Sequence, residues 1–316
     1  MQTSDFRMIL DSISGLTPMQ RETLLSALQR GEIGLLREVL RELAIDGVTC
    51  PRCASSQVIG WGRARGLPRW RCKECRRTFN PLTGTALAGL HRRERWAQYA
   101  ESLRRGEVLR EAAERCEVHI NTAHRWRHRF LREPRVNRVR LAGIAEADET
   151  FILRSAKGQP GMRQQWDREP RKRGGKALLR GRSKENVAIF VARDRSGATI
   201  DQVLATVNAD NLRPVIRKHV EPDAVLCTDG LNSYRTVAAQ LQLKHEALVL
   251  NHGERIRGPF HIQNVNNYHS RWKGWMDRFH GVSTRYLPNY LGWFRALDAH
   301  AKARSSDFML YAAFAI

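Results

Sequence analysis

Two Cys-x-x-Cys pairs, Cys50-Pro-Arg-Cys53 and Cys72-Lys-Glu-Cys75, stand 18 residues apart in the first quarter of the chain. Two such knuckles at this distance can offer four thiolates to one tetrahedral Zn²⁺. A four-cysteine set leaves no open coordination position, so the expected zinc is structural rather than catalytic. The competing readings, a redox pair or buried thiols, do not explain two matched knuckles. The start, Met1-Gln-Thr-Ser-Asp-Phe6, lacks the basic and apolar stretches of an export signal. Paired cysteines without such a signal read as metal ligands rather than disulfides. Gly60, Gly62, Gly66 and Pro68 punctuate short β-prone pieces between the knuckles, which predicts a zinc ribbon over 47–90. Its arginines and tryptophans (Arg63, Arg69, Arg71, Trp61, Trp70) suit phosphate contact and base stacking, or, for the tryptophans, a small core around the metal.

Charge narrows the choice of partner. Lys and Arg number 54 against 32 acidic residues, a formal net charge of +22 in 316 residues. Such an excess favours a polyanion. Membrane is the rival, but no apolar run reaches the roughly 18 residues that span a bilayer. At 42% hydrophobic the chain can bury a core, and its length allows two or three domains.

Residues 1–46 carry helical apolar stripes, among them Phe6, Ile9, Leu10 and Ile13, and read as an N-terminal helical segment. Residues 91–135 are helical again. Within them, 108–130 has the layout of a helix-turn-helix. Ala112 and Ala113 allow close helix contact, Val118 sits in the turn, and Asn121 or Thr122 is placed to cap the second helix. Ala123, Trp126 and Phe130 form its buried stripe. That assigns Arg125, Arg127 and Arg129 to other faces, where they are expected to reach DNA. A solvated basic helix in an ordinary bundle is the plain alternative.

From residue 140 the pattern alternates. Strands are expected at 144–153, 187–194, up to 201 after a turn at Arg195-Ser-Gly197, 223–228 and 246–250. Helices are expected at 202–219, 231–242 and 264–280, a mixed α/β sheet over 140–300 followed by a tail at 301–316. Two carboxylates sit at strand edges, Asp148 in Ala147-Asp-Glu-Thr150 and Asp229 in Thr228-Asp-Gly230. Asn266 and Lys273 follow on the last helix, seven residues and two turns apart, and so face the same way. Oxygen ligands gathered from distant segments suit a hard divalent cation. Two metal ions about 3.5–4 Å apart can activate a water or 3′-hydroxyl and stabilise the leaving oxygen of a phosphodiester. Singly, each signal has a plain reading: an Asp-Gly turn, a solvated strand end, an N-cap. Between the first two strands, residues 163–184 hold nine Lys/Arg, Arg171, Lys172 and Arg173 among them. This loop is expected to clamp a DNA backbone.

These motifs, in this order and spacing, resemble the bacterial insertion-sequence transposases of the zinc-ribbon, D-D-(N/E/H)-K type. Asp148-Glu-Thr150, Thr228-Asp-Gly230, and His261 with Val265-Asn266 and Lys273 carry the resemblance. The run from Phe279-His-Gly281 to Gly292-Trp-Phe294, Lys172-Arg-Gly-Gly-Lys176, and Phe79-Asn80 with Leu82-Thr-Gly-Thr85 extend it over roughly 45–300. The resemblance implies an RNase H-like catalytic domain that cuts and joins double-stranded DNA at transposon ends and target, using Mg²⁺ or Mn²⁺. It implies Asp148, Asp229 and Asn266 as metal ligands and Lys273 as the accompanying basic residue. It also implies a homo-oligomer on DNA, no membrane, and a nucleoid-associated place in the bacterial cytoplasm. The wider superfamily usually has Glu where this chain has Asn266, and an amide oxygen is a weaker Mg²⁺ ligand. Two other readings stay open. One is a DNA-binding regulator descended from a transposase, without catalytic activity. The other is a metal-dependent nuclease without strand transfer.

Overall fold

A computed structural model of the protein describes residues 48–158, 179, 181–248, 256–302 and 306–314. The helical segment expected over 1–46 and the loop cations Arg171, Lys172 and Arg173 lie outside the described residues. The chain divides into two compact units, with the boundary between Glu101 and Ser102. No helix of the described residues is long and apolar enough to cross a membrane.

The first unit is organised around the cysteines. Strands β1 (Val58–Ala64), β2 (Leu67–Cys72) and β3 (Thr78–Phe79) form an antiparallel sheet in that order. The β1–β2 turn is Arg65-Gly66, with φ of 50° and 77°. Both central residues left-handed is the type I′ signature, whose twist matches a two-residue hairpin. Cys50, Cys72 and Phe79 form the core, with Val48, Val58, Trp70 and Cys75 packed against it. The two readings of the tryptophans divide here. Trp70 stacks on Phe79 at 5.7 Å in this core, while Trp61 is 43% exposed beneath the Arg71 guanidinium.

Helix α1 (Trp96–Arg104) crosses the boundary, and α2 (Leu109–Arg115) and α3 (Ile120–Phe130) follow as the expected pair. The buried positions are those expected: Ala112, Ala113, Ala123, Trp126 and Phe130. The cap is not. His119, rather than Asn121 or Thr122, is the N-cap of α3, and its Nδ1 accepts the Asn121 N–H at 3.3 Å.

The second unit is built on a five-stranded mixed sheet. Strands β4 (Ile144–Leu153), β5 (Asn186–Asp194) and β6 (Thr199–Leu204) form an antiparallel meander, and β7 (Val225–Thr228) and β8 (Lys244–Ala247) add in parallel beside β4. The order is β6-β5-β4-β7-β8, so β4 is central. Val187–Ala192 is apolar and buried throughout, as a strand covered on both faces requires. Helices α4 (Ala209–His219) and α5 (Asn232–Leu241) flank β7 in sequence and pack Leu212, Val215, Ile216, Tyr234 and Val237 into the sheet core. The helix expected from 202 starts later. Ile200 and Leu204 continue the pairing with β5, and Asn208 then caps α4 through the Asn211 N–H at 3.0 Å.

Helices α6 (Gln263–Asp277) and α7 (Leu287–Ala299) follow, with α8 (Asp307–Phe314) at the end. Ion pairs to the largely buried carboxylates of Asp298 and Asp201 tie α6 and α7 to the sheet. Arg193 of β5 and Arg271 of α6 share Asp298 of α7, and Arg295 of α7 pairs with Asp201 of β6. At Gly292 the backbone of Pro134 and Arg135 lies against α7 so closely that a Cβ would overlap the Pro134 carbonyl oxygen.

Candidate active site

Asp148 and Asp229 are neighbours because of strand register. In the parallel β4/β7 ladder Glu146 stands opposite Cys227, and two residues further on each strand come Asp148 and Asp229. Adjacent strands lie about 4.8 Å apart. The two carboxylates therefore lie within electrostatic reach of each other at the C-terminal edge of β7, where Gly230, at φ 84°, turns the chain toward α5. The Asp-Gly is thus also the turn that its composition suggested: Asp229 Oδ1 accepts the Leu231 N–H at 3.1 Å.

Burial pushes the Asp148 carboxyl up to about 7, and the charges of Glu149 and Asp229 push the same way, with Lys273 opposing. Two like charges this close, in a site little reached by water, disfavour ionising both. A cation bound between them would relieve that cost.

Helix α6 lies on the Asp148 side of β4. Asn266, His269 and Lys273 follow at i, i+3 and i+7, one stripe along the helix. His269 Nδ1 is 3.7 Å from Asp148 Oδ2. Burial and then the Lys273 charge hold this imidazole down at about 4, so it is neutral at physiological pH. Its Nε2 is buried without a hydrogen-bond partner. The structure thus brings Asp148, Asp229, His269 and Lys273 within electrostatic reach of one another, and leaves Asn266 exposed one turn before His269. His269 is not among the residues expected at the site. Its signal was the spacing, three after Asn266 and four before Lys273.

The four cysteines are the one group of three or more His, Cys, Asp or Glu side chains, among the described residues, gathered at ligand spacing. All four Sγ atoms lie within 4.8 Å of one another, with Cys50–Cys75 and Cys53–Cys72 at 3.6 Å. Tetrahedral Zn–S bonds of about 2.3 Å place sulfurs about 3.8 Å apart. A disulfide would need about 2.05 Å. The donor set therefore fits a metal such as zinc.

Comparison with known proteins bears on the domain that carries these residues. Residues 140–295 match the family model described as the ISXO2-like transposase domain. This segment is an insertion-sequence transposase domain. The chain is also 27% identical, over 254 residues, to an uncharacterized protein in transposable element ISH50 of Halobacterium salinarum, covering 79% of this chain and 85% of that one. Two solved structures are more distant. A pre-cleavage Mos1 transpososome is 13% identical over 65% of this chain and 73% of its own, and a Mos1 mariner paired-end complex with Mn is 15% identical over 61% and 72%. Both superpose with a TM-score of 0.20, too loosely to define the fold.

Within the transposase domain Glu149, next to Asp148, points to the other face of β4. Its carboxylate accepts the Tyr234 hydroxyl at 3.0 Å and pairs with Arg182 at 2.8 Å. It adds negative charge near Asp148 but is already committed to these two partners.

One candidate DNA contact is corrected. Arg127 is 1% exposed. Its guanidinium lies over Trp293 at 4.9 Å and Phe279 at 5.9 Å, and its Nη2 donates to the Glu107 carbonyl at 2.7 Å. The reason is that α3 turns a second face onto the aromatic cluster of α7 and the segment before it: His128 stacks on Tyr286 at 3.6 Å, and His124 meets the same ring edge-on. Arg125 remains exposed and Arg129 half-buried.

Proposed function

We propose that this chain is a DNA transposase that binds terminal inverted repeats and catalyses divalent-metal-dependent strand cleavage and transfer. The observation that carries the reading is the register that sets Asp148 beside Asp229 under the Asn266–Lys273 stripe of α6. The sheet order, a three-strand meander with two parallel strands added beside its first strand, supports an RNase H-like domain over 140–300.

Asp148, Asp229 and Asn266 offer oxygen donors, which suit Mg²⁺ or Mn²⁺. Bound there, such an ion would stabilise charge on the phosphoryl oxygens and activate the attacking hydroxyl. The chain's own residues do the rest. Lys273 presents a cation to the scissile phosphate. Neutral His269 packs beside Asp148 and narrows its access to water. Zn²⁺ at Cys50, Cys53, Cys72 and Cys75 holds the ribbon over 47–90. Arg125 and Arg129 of the helix-turn-helix region over 91–135, with Arg171, Lys172 and Arg173, contact DNA, and the active species is a homo-oligomer on paired ends.

One observation favours a second reading, a DNA-binding regulator without activity: the third ligand is the neutral Asn266. The two separate on one assay, in which the protein is incubated with its element's end sequence and Mg²⁺ or Mn²⁺ and scored for nicking and joining. Binding without cleavage, unchanged by Asp148→Ala or Asp229→Ala, sinks the enzyme reading.

A further inference from the structure

Glu146 is a buried carboxylate that the proposed chemistry does not use. It lies two residues before Asp148 and, by the alternation of a strand, on the same face of β4. Its side chain is 1% exposed yet heavily engaged. Oε2 accepts the backbone N–H groups of Asn264 at 2.8 Å and Val265 at 3.0 Å. Oε1 accepts the Asn264 side-chain amide at 2.8 Å and Arg195 Nη1 at 2.6 Å.

These contacts replace an ordinary helix cap. The first N–H groups of a helix have no intrahelical partner and need an outside acceptor. The N-cap of α6, Ile262, has no side chain that can serve. Gln263 N–H goes instead to His261 Nδ1 at 3.3 Å, Asn264 and Val265 go to Glu146, and Asn266 N–H makes the first helical bond, to the Ile262 carbonyl. Three of the four free donors at this end are thus accounted for, and two of those three end on one carboxylate from a strand more than a hundred residues away. A negative charge at that end also suits the helix dipole.

We infer that Glu146 is the positioning residue of the active site: it fixes where α6 begins and how it is rotated, and so sets Asn266 and Lys273 against Asp148. The strand that carries Asp148 thereby holds the helix that completes the site. Arg195, bonded also to the Pro259 carbonyl at 2.8 Å, neutralises the buried carboxylate without touching the helix amides. Arg195 Nη1 also lies 2.9 Å from His261 Nε2, so it braces the residue that caps Gln263 as well as the carboxylate.

This role rests on the reading of Asp148 and Asp229 as a divalent-metal site, and the test keeps the two apart. Mn²⁺ binding to the full chain is measured by calorimetry, beside amide hydrogen exchange over 263–266, in wild type and in Asp148→Ala, Glu146→Gln and Arg195→Gln. Residues that orient ligands typically matter 10–100-fold to metal affinity. Glu146→Gln is expected to weaken Mn²⁺ binding by about that factor and to speed first-turn exchange, with exchange in β5 unchanged. Arg195→Gln, which leaves the Glu146 carboxylate on the Asn264 and Val265 amides, is expected to weaken Mn²⁺ binding less than Glu146→Gln does. Should Glu146→Gln not fold, Glu146→Asp, which keeps the charge but withdraws it by one methylene, is expected to show the same pair of effects. Tight wild-type binding that Asp148→Ala abolishes and the Glu146 variants leave unchanged overturns the positioning role alone. Binding that Asp148→Ala does not alter overturns the metal-site reading and this role with it.

Discussion

The Arg127 guanidinium lies 4.9 Å from the Trp293 ring centroid, so a cation of α3 is spent on joining α3 to α7. A desolvated cation–π contact is worth about 2 kcal/mol. Arg127→Ala is therefore expected to lower the thermal midpoint, by the loss of roughly 2–4 kcal/mol when the hydrogen bond to Glu107 is included. Arg125→Ala, an exposed change on the same helix, is expected to leave stability within about 0.5 kcal/mol. In a DNA-binding titration it should weaken affinity and reduce the salt slope by about 1. Equal thermal midpoints for the two variants would contradict this assignment.

Asp148 gives a pH signature. Its folded pKa, about 7, lies above the unfolded value of about 3.9. The fold binds the proton more tightly, so this residue's contribution is intact below about pH 4 and is lost as pH rises through 7. At about 1.4 kcal/mol per pKa unit, the metal-free protein loses up to about 4 kcal/mol across that window. Asp148→Asn is expected to escape the loss: its thermal midpoint should match wild type near pH 4 and exceed it at pH 8. Added Mn²⁺ should raise the wild-type midpoint at pH 8 and leave Asp148→Asn unmoved. Parallel pH curves for the two proteins count against it.

Gly292 permits a backbone crossing. A Cβ there would overlap the Pro134 carbonyl, which Arg295 also holds at 2.7 Å. Gly292→Ala gains helix propensity of about 1 kcal/mol. The clash should outweigh it, giving a net loss of about 1–3 kcal/mol by denaturant titration. A variant more stable than wild type would show that the crossing yields freely.

Metal removal tests the ribbon. Purified protein is expected to release one Zn²⁺ per chain when its thiols are titrated, and Cys53→Ser to release far less. A Zn²⁺ content near zero in folded protein, with two disulfides by mass, would replace the metal by covalent bridges.

The strands beneath the candidate site were legible because their apolar runs leave a local pattern. Residues 144–153 were read as a strand and are one, and the strand read over 223–228 is Val225–Thr228. What was missed lay in tertiary contact. Asp201 and Arg193 gave no hint of their partners in α7, since an ion pair across about a hundred residues leaves no local pattern. Arg127 read as solvent-facing because a helix docked on two faces breaks the amphipathic rule. His119 was overlooked as a cap because imidazole is an uncommon one. Glu146 looked like one more charged strand residue; only the start of α6, far along the chain, gives it a purpose.

The docking of α3 on Tyr286 and Trp293 also bears on distance. Helix and sheet belong to one compact unit, and contacts with Tyr286 and Trp293 hold α3 within it. A duplex gripped at Arg125 would meet Asp148 at a separation the protein dictates, so the fold would act as a ruler. Base pairs inserted between the gripped sequence and the scissile phosphate would then move the cut along the DNA, always the same number of nucleotides from the grip.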